Sequence, residues 1–280
     1  MECKFVDLYK YWGQKRPEGG AGFLHIYAQH VPAKLVPRRH PAVLVIPGGG
    51  YSHVSEREGE PVALRFLCRG YRAFVLAYSV APVRFPAQLR EAAMAMGYIR
   101  QNADALGVDP GMVAAIGFSA GGHLCGMLGT LFDAPEVADV GSAAQIRPDA
   151  LGLCYPVAVS WGHTHEGSFC NLCGEDGALR SRLSLDRLVR PDMPPVYLWH
   201  TRDDGTVPCR NTLILAQALE SAGVSMAMRL HLHGEHGLST ADTQAYPAGR
   251  IPAVSPGVTA WPEEMMEFFG EIGLKVTDWE

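Results

Sequence analysis

At 280 residues, 48% of them hydrophobic, the chain can bury a large core, and one domain spanning 1–280 is the expected organisation. Its 24 Lys and Arg against 29 Asp and Glu leave a formal charge of -5, a balance that calls for neither nucleic acid nor an anionic membrane as partner. The charged start MECKFVDLYKYWG lacks the apolar run of a signal peptide, no segment could span a bilayer, and seven scattered cysteines offer a single CxxC at Cys170 and Cys173, so a reduced, cytoplasmic protein without structural zinc is expected.

Short apolar segments open the chain. GFLHIYA (Gly22 to Ala28) alternates weakly, as a half-buried strand does, and AVLVI (Ala42 to Ile46) is the continuous run of a strand covered on both faces. A helix is expected from Glu56 to Cys68, a strand from Ala73 to Tyr78, a helix from Pro86 to Leu106 and a strand from Met112 to Phe118. An apolar helix follows Ser119, and Ala150 to Val157 reads as another strand. Residues 158–192, without a clean period, read as a lid or pocket wall. Alternation resumes with a strand at Pro194 to His200, a helix at Asn211 to Ala222 and a strand at Ser225 to His233. A Pro- and Gly-rich loop (Tyr246 to Gly257) leads to a last helix opened by Pro262. This order predicts an α/β protein with a mostly parallel sheet and helices on both faces.

GFSAGG (Gly117 to Gly122) sits between a predicted strand and a predicted helix, where G-x-S-x-G forms a sharp turn that lifts the serine clear. Ser119 is therefore the expected nucleophile. A serine needs a base within hydrogen-bond reach and a third group to orient that base. LWHTRDDGTVP supplies Asp203 and Asp204, between which spacing does not choose. LHLHGEHGLS supplies three histidines. His231 and His233 share one strand face at a period of two, whereas His236 lies in a glycine-flanked loop and is the expected base. His123, four residues into the nucleophile helix, reads as a packed histidine.

Taken together, IPGGGY, GEPVA, GFSAGGHL, DDGTVP and HGLS, in that order from about Ala42 to Phe269, resemble the α/β-hydrolases, and within them the esterase and lipase-like group that includes small carbohydrate acetyl esterases. The resemblance implies Asp204 as the acid, three positions before the valine of D-x-x-V-P. PGGG lacks the lysine of a phosphate loop and the glycine spacing of a dinucleotide site. The resemblance makes it an oxyanion loop, with the backbone N–H of Ala120 and of Gly49 or Gly50 as donors. Pro47 stands where related lipases carry a histidine. Tyr51, Trp161, Ser168 and Phe169 are the expected pocket residues.

The expected activity is hydrolysis of a small acyl ester without cofactor or metal. Acetyl on xylo-oligosaccharides is the substrate implied by the resemblance. An arylformamidase or peptidase-like acyl hydrolase and a non-catalytic small-ligand receptor on the same fold are the rival readings. A homo-oligomer is left open.

Overall fold

A computed structural model of the chain describes residues 2–28, 39–246, 249–250 and 252–276. Met1, together with Pro247, Ala248 and Ile251 of the Pro- and Gly-rich loop, lies outside the described residues. The strands are β1 (Glu2–Asp7), β2 (Phe23–Ala28), β3 (His40–Ile46), β4 (Arg72–Ala77), β5 (Val108–Phe118), β6 (Ala150–Cys154), β7 (Val196–Thr201) and β8 (Met226–His231). They form one sheet in the order β1-β2-β4-β3-β5-β6-β7-β8. β3 to β8 run parallel, while β2 pairs antiparallel with both β1 and β4. This is the α/β-hydrolase topology.

The helices are α1 (Leu8–Tyr11), α2 (Glu60–Leu67), α3 (Ala87–Gln101), α4 (Ala103–Leu106), α5 (Ala120–Thr130), α6 (Ala143–Ile146), α7 (Glu166–Cys173), α8 (Gly177–Arg182), α9 (Leu185–Leu188), α10 (Arg210–Ser221) and α11 (Trp261–Glu271). Side chains that alternate along each strand feed two cores. Val43, Val45, Val75 and Ile116 join Phe66 of α2 and Phe269 of α11, whereas Leu44, Ile46, Leu76 and Leu153 join Met94 of α3, Leu124 of α5 and Leu215 of α10. That two-sided burial is why β3 reads as an unbroken apolar run, each such side chain contributing about 1.5–3 kcal/mol. Trp199 of β7 stacks on Trp261 of α11 at 5.7 Å, fixing the last helix to the sheet.

Several boundaries depart from expectation. The helix foreseen at 56–68 is a 3-10 turn (Glu56–Glu58) and then α2, separated by Gly59 and opened by Pro61. The helix foreseen at 86–106 divides at Asn102, whose side-chain amide donates back to the Tyr98 carbonyl at 2.8 Å, competing with helix continuation. Residues 158–192 contain the three short helices α7, α8 and α9 and no strand. Cys68, Cys125, Cys154, Cys170, Cys173 and Cys209 are free thiols. Among the described residues no helix is long and apolar enough to cross a membrane.

Candidate active site

β5 ends at Phe118 and α5 begins at Ala120, leaving Ser119 as the single residue of the turn, with φ 53° and ψ -119°. That conformation is costly for a residue with a side chain and persists because its surroundings over-determine it. The Ser119 N–H donates to Cys154 O (3.0 Å), and its carbonyl accepts from the N–H of His123 (3.1 Å) and of Val157 (3.0 Å). The helix comes close because two positions lack side chains. A Cβ on Gly117 would stand 2.2 Å from Gly121 O, and one on Gly121 would stand 2.2 Å from Ile46 O.

The hydroxyl meets the histidine loop. Ser119 Oγ lies 2.7 Å from His236 Nε2, and His236 Nδ1 lies 2.6 Å from Asp204 Oδ2. Asp204 Oδ1 accepts the N–H groups of Thr206 (2.9 Å) and Val207 (2.8 Å), and Oδ2 also faces His200 Nε2 at 3.1 Å. Burial alone would raise the Asp204 carboxyl; hydrogen bonds from His200 and His236 outweigh it and hold the group well below the usual carboxylate range. The other candidates stand elsewhere. Asp203 pairs with His233 at 2.6 Å on the surface, and His231 is buried against Trp199.

The PGGG loop runs over the elbow. A Cβ on Gly48 would lie 2.9 Å from Ser119 Cβ. The N–H groups of Gly49, Gly50 and Ala120 have no acceptor among the described residues, whereas that of Gly48 donates to Glu58 Oε2 at 2.8 Å. Three side chains hold this loop: Tyr78 donates to Pro47 O (2.8 Å), Glu58 takes Gly48, and Asn171 of α7 donates to Gly50 O (2.8 Å).

The expected pocket residues divide. Tyr51 and Phe169 are each 1% exposed and pack about His123, Tyr51 donating its hydroxyl to His123 Nδ1 at 2.9 Å. They form a buried layer around His123. Burial lowers the His123 imidazole to about 4, so its Nε2–H donates to Leu183 O at 2.7 Å while Nδ1 accepts. Trp161 turns outward, its indole N–H on Asp186 Oδ2 at 3.1 Å. Ser168 is buried, with Oγ 2.8 Å from His165 Nδ1.

Sequence reasoning passed over four residues that touch this constellation: Glu58, Tyr155, His165 and His200. Tyr155, at φ 37°, donates to Glu58 Oε1 (2.7 Å), accepts the Ser239 N–H (2.8 Å) and lays its ring 5.2 Å from that of His236. Burial, with the Glu58 carboxylate second, pushes its phenol far up. A carboxylate inside the fold thus ties the PGGG loop to the loop that carries His236. A cavity of about 480 Å³ lined by His163, Arg202, Asp204 and Arg210 reaches Asp204 but not Ser119 or His236, and a larger one of about 700 Å³, lined by Tyr9, Phe85 and Arg90, reaches none of the three. Among the described residues no group of three or more His, Cys, Asp or Glu could hold a metal ion.

The model of the BD-FAE family matches residues 25–146. The crystal structure of acetyl ester-xyloside bifunctional hydrolase from Caldicellulosiruptor lactoaceticus is similar at 35% identity and a TM-score of 0.78, covering 91% of this chain and 89% of that one. Endo-1,4-beta-xylanase B of Butyrivibrio fibrisolvens is 36% identical over 217 residues, 73% of this chain. Acetylxylan esterase of Xylanibacter ruminicola is 28% identical over 204 residues, 70% of this chain. The chain spans well under half the length of these two curated relatives, 33% and 40% respectively. With a strand-turn-helix serine, a histidine and an aspartate in hydrogen-bonded sequence, and 35% identity sustained over most of both chains, the protein belongs to the esterase and lipase-like group of the α/β-hydrolases.

Proposed function

We propose that the protein is a serine esterase that removes small acyl groups, acetyl first among them, from acetylated xylo-oligosaccharides. The observation that carries the reading is the chain Ser119 Oγ to His236 Nε2 (2.7 Å) and His236 Nδ1 to Asp204 Oδ2 (2.6 Å), set beside backbone N–H groups that have no acceptor among the described residues. Ser119 attacks the ester carbonyl while His236 takes its proton, and Asp204 holds the ring and stabilises the imidazolium. The carbonyl oxygen, now an oxyanion, is received by the N–H of Ala120 and that of Gly49 or Gly50. His236 returns the proton to the departing alcohol. Water then attacks the acyl-Ser119 ester with His236 again as base, and the serine leaves with a proton from His236 as the acid product is released.

The sugar ester is favoured by the relatives whose names include acetylxylan esterase and acetyl ester-xyloside hydrolase. Residues 158–192 serve in this reading as the wall over the oxyanion loop, through the Asn171 bond to Gly50. The test is acetate release from defined acetylated xylo-oligosaccharides by wild type and Ser119→Ala, with an active-site phosphonate as label. Wild type is expected to release acetate and to be labelled at Ser119, and the variant to lose at least about 10⁴-fold in kcat. Unimpaired turnover by the variant would remove Ser119 from the mechanism.

A further inference from the structure

The half-buried imidazole of His165 stands beside the oxyanion loop. A Cβ on Gly50 would stand in ordinary van der Waals contact with His165 Cε1 (3.7 Å) and Ser168 Oγ (3.9 Å), which places the edge of this imidazole directly beside Gly50. Gly50, at φ 62°, is tied to the same helix through Asn171. The tautomer of His165 follows from its neighbour. Ser168 Oγ, 1% exposed, lies 2.8 Å from His165 Nδ1 and has no other side-chain partner among the described residues, so its one hydroxyl proton goes to Nδ1. The ring hydrogen is then on Nε2, which has no partner among the described residues. Burial, and secondarily the nearness of His236, lowers the affinity of the ring for a second proton. The result is an uncharged N–H donor at the side of the site.

An acetyl group offers no acceptor beyond the carbonyl oxygen that the backbone donors already receive, so such a donor matches nothing on the acyl side. It matches an alcohol that carries further hydroxyls. Building on the serine-esterase reading above, we infer that His165 is a specificity-determining residue whose Nε2–H binds a free hydroxyl of the leaving alcohol next to the ester, and that Ser168 is the positioning residue that fixes its tautomer. The substrate class this selects is a polyhydroxylated alcohol, such as a partly acetylated sugar, over an alkyl or aryl alcohol.

The experiment compares kcat/KM for an acetylated xylo-oligosaccharide with that for 4-nitrophenyl acetate, whose leaving group has no further hydroxyl, in wild type, His165→Phe, His165→Gln and Ser168→Ala. The sugar-to-aryl ratio is expected to fall about 10-fold in His165→Phe, mainly through KM. His165→Gln, which keeps an N–H donor, is expected to recover most of it, and Ser168→Ala to fall between. Phosphonate labelling rates and melting temperatures report on folding independently. An unchanged ratio, an equal fall on both substrates, or a glutamine variant no better than phenylalanine would overturn the assignment. A wild type that labels and cleaves 4-nitrophenyl acetate, yet treats the sugar ester no better than a simple alkyl acetate, overturns it while leaving the serine esterase standing. A wild type that neither labels nor turns over any ester removes both.

Discussion

His200 and Asp204, four residues apart, meet with Nε2 3.1 Å from Oδ2, the same oxygen that receives His236 Nδ1 at 2.6 Å. His200 is itself pinned at both nitrogens: Nε2 also faces Val207 O at 2.9 Å, and Nδ1 takes the Thr212 hydroxyl at 2.7 Å. With the N–H groups of Thr206 and Val207 on Oδ1, both oxygens of the carboxylate are held from the protein side. His200→Phe removes the partner of the Thr212 hydroxyl and of the Val207 carbonyl and leaves the carboxylate held from the protein side through Oδ1 alone. We predict a kcat loss of about 10- to 100-fold with KM little altered, because orientation of His236 matters most in the transition state. Single-turnover acylation measures it, and a rate within twofold of wild type would show that the backbone N–H groups suffice.

Asp203 and Asp204 are adjacent in sequence and opposite in circumstance. Asp204 is buried under His236, whereas Asp203 forms a solvent-exposed pair with His233, of a kind generally worth about 0–1 kcal/mol. Asp204→Asn is therefore expected to lower kcat by about 10⁴ while keeping the fold, since it presents the wrong hydrogen-bonding group to Nδ1. Asp203→Asn should stay within about 3-fold of wild type. Steady-state kinetics on the two variants decides the matter, and the reverse ranking would move the acid to Asp203.

Glu58 receives Gly48 N–H on one oxygen and the Tyr155 hydroxyl on the other, so one carboxylate spans the loops that carry the proposed oxyanion donors and the proposed base, His236. Glu58→Gln keeps the shape but turns one acceptor into an N–H₂ that must face a donor. The cost of such a mismatch is about 1–3 kcal/mol in stability. The oxyanion donors should also lose aim, with kcat falling about 10- to 100-fold. Affinity for a boronate analogue of the tetrahedral intermediate should fall by a similar factor while KM holds. Equal losses in analogue affinity and KM would mark Glu58 as a fold residue alone.

The parts of this arrangement legible in the sequence are those set by local pattern. Continuous apolar runs such as Val43 to Ile46 mark buried strands, and G-x-S-x-G between strand and helix marks the Ser119 turn. Ser119, read from that pattern, His236, read from its glycine-flanked loop, and Asp204, which only the family resemblance singled out from Asp203, stand in a hydrogen-bonded chain with His236 in the middle. The rest depends on which distant segments meet. Nothing in SEREGE distinguishes the buried Glu58 from its exposed neighbour Glu56. His200 at a strand end reads as one more inward side chain, and its pairing with Asp204 needs the turn that follows. α7, α8 and α9 are each too short for a 3.6-residue period to register, so His165 gave no signal beyond its closeness to Ser168.

His123 supplies a pH dependence of stability whose sign can be worked out. Its imidazole is lowered by burial to about 4 in the fold, against about 6.5 in an unfolded chain. Between those values the unfolded chain binds a proton that the native state refuses, so stability falls as pH drops from 6.5 towards 4. The contribution lost between pH 7 and pH 5 is about 2 kcal/mol. His123→Phe should flatten that slope, while costing stability at pH 7 because the Tyr51 hydroxyl and the Leu183 carbonyl lose their partner. Urea unfolding of both proteins at pH 7 and pH 5 gives the two differences directly. A wild-type slope that survives the substitution unchanged would assign the pH dependence to other groups and leave His123 a packing residue beneath Tyr51.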